Sequence, residues 1–117
     1  MKYLCLIYNE ERNLAALSKA EWEALRGEYT VFTEGIRVTG HYLGGEGLQP
    51  TATGRTVRVR DGRLSSTDGP FAETHEQLGG YYLIEARDLN DAIHVAARIP
   101  SARMGSIEVR PIVEFDA

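Results

Sequence analysis

The chain has 117 residues, enough for one domain around one core, and residues 1–117 are read as such a unit. Seventeen acidic residues against thirteen basic ones give a net charge of −4, so no general basic field exists to attract nucleic acid. The opening apolar run, YLCLIY, is too short for a membrane span and lacks a signal-peptide pattern, which makes a cytoplasmic protein without a membrane partner the expectation.

From Lys2 to Tyr8 the side chains alternate between Tyr3, Cys5, Ile7 and Leu4, Leu6, Tyr8, and both sets are apolar. A strand of that kind needs cover on both faces. Cys5 is the sole cysteine, so neither an intrachain disulfide nor a cysteine metal site can form, and a small buried hydrophobe is its expected role. Residues 9–17 read as a connector. Ser18 and Glu21 then spell a capping box, and Trp22, Leu25, Tyr29, Phe32 and Ile36 follow at helical spacing as one core-facing stripe. Gly40 is a natural stop.

His41 to Leu48 reads as a glycine-rich strand with room for a bulge near its end. Alternation over residues 56–60, the pair Asp61-Gly62 and a return to Asp68 predict a hairpin that pairs Arg60 with Arg63, Val59 with Leu64, Val57 with Ser66 and Arg55 with Asp68. One face is weakly apolar and the other arginine-rich, so the hairpin is peripheral. Asp68-Gly69-Pro70 makes a sharp corner, and an acidic loop with Glu73, His75 and Glu76 leads through Gly79-Gly80 into a strand over residues 81–86. Asp88 and Asp91 open a second helix with Leu89, Ala92, Ile93, Ala96 and Ile99 inward, Pro100 ends it, and residues 107–110 alternate as a last strand.

Strand, helix, strand, inserted hairpin, strand, helix, strand is the split βαβ pattern of the ferredoxin-like α+β class. Right-handed crossovers put both helices on one side of the sheet. The other side, where the first strand is still apolar, then calls for a second copy of the chain.

DGPFAET, followed by EQLGGYYLIEA, AARIP and IEVRPI, closely resembles the DGPF-motif branch of the YCII-related family, over nearly the whole chain. The resemblance implies the same architecture, a dimeric α+β barrel. It also implies a regulatory protein partner, because relatives with this motif often occur beside alternative sigma factors. Better-known YCII-related proteins carry a His and Asp pair with the histidine on the first helix. Here that region reads GEYTVFTEG, and Tyr29 takes the position, so the pair is not carried over.

Groups able to move protons are Asp68 and Glu73, the candidate bases, with Tyr29 or His41 as assisting polar groups. Phe71, His75 and Glu76 are candidate lining of a small-molecule pocket beside the DGPF loop. Each has a plainer role to set against this: an Asx turn for Asp68, an anchor against the core for Phe71, a solvated surface for Glu73, His75 and Glu76. His75 stands where the motif commonly has lysine. The spacing of Glu73, His75 and Glu76 is a weak metal signal, and neither a metal nor a cofactor is expected. Two functions stand open, a cofactor-free enzyme of proton-transfer or lyase type and a non-catalytic regulatory module.

Overall fold

In a computed structural model, residues 1–115 are described. The elements are β1 (Lys2–Asn9), α1 (Glu11–Ala15), α2 (Lys19–Val38), β2 (Tyr42–Gly47), β3 (Arg55–Arg60), β4 (Arg63–Asp68), β5 (Gln77–Glu85), α3 (Leu89–Ala97) and β6 (Ser106–Pro111). An antiparallel sheet runs β2-β5-β1-β6, and β3-β4 form a separate two-stranded ribbon. That order is the ferredoxin-like arrangement, with β1 and β5 central.

The core lies between one sheet face and the helices. Tyr3, Cys5 and Ile7 of β1 and Tyr82 and Ile84 of β5 meet Phe32 and Ile36 of α2 and Ala92, Val95 and Ala96 of α3. Burial pushes the Cys5 thiol up to about 11, so it stays protonated at neutral pH. On the opposite face Leu4, Leu6, Tyr8, Tyr81 and Leu83 are only half-buried within one chain. Leu4 pairs with Leu83 and Leu6 with Tyr81, so these side chains form a continuous apolar band. No helix among the described residues is long and apolar enough to cross a membrane.

The capping box forms as spelled: Glu21 N–H donates to Ser18 Oγ at 3.1 Å and Ser18 N–H to the Glu21 carboxylate at 2.9 Å. Leu25, Phe32 and Ile36 are buried along the stripe that follows. The hairpin has the expected register throughout, because Asp61 (φ 51°) and Gly62 (φ 72°) make the two-residue turn that fixes its parity.

Four expectations are corrected. Residues 9–17 are not a plain connector: α1 lies within them, although none of its residues is buried. The strand expected over residues 81–86 begins at Gln77, with Gly79 and Gly80 inside it. A register shift opposite Ile7 and Tyr8 leaves Gly79 as the extra residue of a bulge, and a Cβ on Gly80 would lie 2.8 Å from the Glu46 carbonyl oxygen of β2. The shift in β2 falls at its start, between Tyr42 and Gly44, not near its end. In α3 the inward stripe is turned: Leu89 and Ile93 are each 48% exposed, while Val95 is buried between Ala92 and Ala96, whose methyl groups let the helix approach the sheet closely.

Candidate functional site

Beside the bulge of β1 and β5, residues of the sheet and of the first half of α2 line a cleft of about 810 Å³. That is within the range of small-molecule sites. Ile7 and Asn9 from β1, Tyr82 from β5 and Ser101, from the short 3-10 turn Pro100–Arg103, form its floor. Leu25, Tyr29 and Thr33 come from α2 and Tyr42 from β2, while Leu14, Leu17 and Trp22 close the mouth. Trp22 is 44% exposed, so the first residue of the expected core stripe belongs instead to a cavity wall.

The polar groups of the floor are bonded to one another. Asn9 Nδ2 donates to Ser101 Oγ at 3.4 Å, and Ser101 Oγ lies 2.5 Å from the Tyr29 hydroxyl. Beside them the Tyr82 and Thr33 hydroxyls are 2.7 Å apart. Tyr29 and Tyr82 have nearly parallel rings, 12° apart in orientation with centroids 6.5 Å from one another, and Phe32 meets Tyr82 edge-on at 5.2 Å. Burial raises the pKa of both tyrosines, partly offset by hydrogen bonding with Ser101 for Tyr29 and with Thr33 for Tyr82. Both are therefore neutral hydroxyls at physiological pH. The Glu11 carboxylate at the rim is anchored by Thr51, whose backbone N–H and hydroxyl donate to it at 2.8 and 3.0 Å.

The expected site residues divide among four places. Tyr29 is in this cleft. Glu73 and His75 line a shallower cavity of about 540 Å³ by the DGPF loop, together with Glu10, Glu11 and Arg12. Glu11 and Gln77 border both cavities. The His75 imidazole is 81% exposed, 3.8 Å from the Glu10 carboxylate, and Glu76 is occupied by the Ser106 hydroxyl at 2.7 Å. Asp68 lines neither cavity: its exposed carboxylate is held by Arg55 across the hairpin. Among the described residues no backbone N–H is held by Asp68 in an Asx turn, and the corner is made by Gly69 at φ 88°, whose N–H donates to the Gly54 carbonyl. Phe71 is 80% exposed and does not anchor the loop against the core.

His41 is the fourth place. Its Nε2 lies 3.1 Å from Asp91 Oδ2 and its Nδ1 2.7 Å from the Thr39 hydroxyl, giving a hydroxyl, imidazole and carboxylate in line. None of the three lines either cavity. What they join is the end of α2, the entry to β2 and the start of α3. Asp91 also accepts the Arg87 N–H at 3.0 Å, and its own N–H donates to the Asp88 cap at 2.8 Å. The Arg87 amide is the main reason that its pKa is lowered to about 2; the His41 hydrogen bond adds to this while burial opposes it.

Asn9, Ser101, Thr33 and Glu11 escape a reading by sequence. Asn9 ends an apolar alternation as its one polar inward residue, which is a signal. Ser101 offers none, since it sits in an irregular turn. Among the described residues no group of three or more His, Cys, Asp or Glu converges on a metal position.

A model of the YCII-related domain matches residues 1–116. An uncharacterized protein, R00369, of Rhizobium meliloti (strain 1021) is 37% identical over 117 residues, covering 98% of this chain and 94% of that protein. The chain belongs to the YCII-related family.

Proposed function

We propose that this protein binds a small molecule in the cleft under α2 and works as a homodimer joined through the bare sheet face. The observation that carries the reading is the hydroxyl and amide cluster of Asn9, Ser101 and Tyr29 at the floor of a cavity whose exposed lining is mainly apolar and aromatic. A few convergent polar groups in a concave apolar site is the pattern of ligand recognition. Binding is better supported than catalysis. The proposed bases Asp68 and Glu73 lie outside this cleft, and a chemical step there would draw on Tyr29 as a proton donor with Glu11 at the rim. The homodimer rests on the half-buried band of Leu4, Leu6, Tyr8, Tyr81 and Leu83, which a second copy would cover.

The test is a thermal-shift screen of metabolites, repeated on Leu17→Trp, which fills the cleft mouth. Hits on the native chain that vanish in the variant are expected. Hits that persist undiminished in Leu17→Trp would place the ligand elsewhere and remove the reading.

A second reading, a regulatory module docking a protein partner, is favoured by the ribbon. Val57, Val59 and Leu64 share one of its faces and are each at least 60% exposed, and Phe71 stands beyond its base. An alternative sigma factor is the partner suggested by the family. Val59→Lys would then abolish partner capture while leaving hits in the cleft screen unchanged.

A further inference from the structure

The floor of the cleft has a defined hydrogen-bond polarity. Asn9 Nδ2 is a donor only, and it gives its proton to Ser101 Oγ. Ser101 is 1% exposed, and among the described residues its hydroxyl has one other partner, the Tyr29 oxygen. If Tyr29 donated to Ser101, the serine proton would be buried with no acceptor, which is costly. If Ser101 donates to Tyr29, every buried group is satisfied and the phenolic proton is left to point into the half-open cleft. The second arrangement wins, and runs Asn9 to Ser101 to Tyr29, each bond polarising the next.

The Tyr29 hydroxyl is therefore an aimed donor at the end of a ring-lined slot, beside the Thr33 and Tyr82 hydroxyl pair. Trp22 and Tyr42 supply flat walls, Tyr82 a ring in the floor, and no arginine is among the lining residues. The charged residues of the lining are Lys19, Glu11 and Glu46, none of them bonded to the floor cluster, and the α2 N-terminus is already served by its capping box. An anion or cation carried to the floor would lose its hydration with no ionic partner there.

We propose that the ligand is an uncharged ring compound bearing a carbonyl-type oxygen, which accepts the hydrogen bond of the Tyr29 hydroxyl. This rests on the cleft being the binding site. Trp22 is the chain's one tryptophan, so its indole N–H is a single resolved NMR signal at the mouth. Titrating acetophenone, ethylbenzene, benzoate and benzylammonium against it compares four matched probes. Acetophenone is expected to bind about 3–10-fold more tightly than ethylbenzene, the worth of one net hydrogen bond, and Tyr29→Phe to erase that margin without weakening ethylbenzene. Benzoate and benzylammonium are expected to be at least about tenfold weaker than acetophenone. A margin that survives Tyr29→Phe, or benzoate binding as well as the ketone, overturns the ligand class and leaves the cleft standing. If none of the four moves the indole signal, the cleft reading itself falls.

Discussion

Replacing Ser101 by alanine tests the floor of the cleft without touching its walls. The change deletes one oxygen that receives Asn9 Nδ2 at 3.4 Å and meets the Tyr29 hydroxyl at 2.5 Å. Asn9 is 8% exposed and loses its side-chain partner, while Tyr29, facing the cleft, can turn to water. One orphaned buried amide and one rehydrated hydroxyl together cost about 1–3 kcal/mol. For a chain of this size that is a fall in Tm of roughly 4–12 °C. Tyr29→Phe alone breaks the same central bond from its other side and strands the buried Ser101 proton, so it costs about 1–3 kcal/mol. Because both substitutions break one shared contact, urea denaturation of the two single variants and the double variant should show a double loss smaller than the sum by at least about 0.5 kcal/mol. Strict additivity would mean that the short hydroxyl contact contributes nothing. The Tyr29 signal in 13Cζ-tyrosine spectra gives a second check. Ser101 opposes the upward push of burial, so its removal should move Tyr29 ionisation to still higher pH.

Other outcomes follow from the same geometry. Leu6→Lys puts a charge in the middle of the bare sheet face and should turn dimers into monomers in sedimentation velocity with the near-UV spectrum unchanged; a native chain already monomeric at micromolar concentration would refute pairing through that face. Asp91 has a folded pKa of about 2 below a reference of 3.8, so its stabilising contribution is complete above the reference and lost as pH falls through 2. The Tm difference between the native chain and Asp91→Asn should therefore shrink between pH 5 and pH 2, and a constant difference would refute the Arg87 and His41 contacts. Gly105→Ala should abolish soluble expression or lower Tm by more than about 10 °C, since its Cβ would sit 2.0 Å from the Tyr8 carbonyl oxygen. Arg55→Ala, which frees Asp68, should cost no more than about 1 kcal/mol in urea denaturation, as both partners are exposed.

The parts of this fold visible in the sequence are those fixed by short-range chemistry. Ser18 and Glu21 are three residues apart and bond each other whatever surrounds them, and Asp61-Gly62 sets the ribbon's register by turn geometry alone. What stays hidden depends on distant partners. The α1 helix has only five residues and buries none of them, so it carries no periodic signal. Val95 rather than Ile93 faces inward because α3 settles on its alanines, a choice made by the sheet beneath it. Phe71 has the composition of an anchor but reaches no core. The cleft is legible at Tyr29, which stands out because it takes the place of the first-helix histidine of better-known relatives; Asn9 and Ser101 are 92 residues apart and become a pair only when β1 and the turn after α3 are brought together.

The bulge at Gly79 is where architecture and site meet. Up to Ile7 the pairing of β1 with β5 is regular, and beyond it one extra residue on β5 bends the strand so that Tyr8 faces Leu78 and Asn9 faces Gln77. The residues on either side of the bulge, Ile7 and Asn9 of β1 and Gln77, Gly79 and Gly80 of β5, line the space that Trp22 and Leu17 edge. Because β1 alternates, Ile7 and Asn9 belong to the cleft while their neighbours Leu6 and Tyr8 belong to the opposite face. A second copy gripping Leu6 and Tyr8 would thus hold the same backbone that positions Asn9. Occupancy of the cleft and strength of pairing are then coupled through one strand, and by linkage a ligand that tightens the dimer must bind the dimer more tightly. Leu6→Lys, beyond releasing monomers, should weaken acetophenone binding even though its side chain never enters the cleft. Full affinity in the released monomer would show that the two faces of β1 act independently.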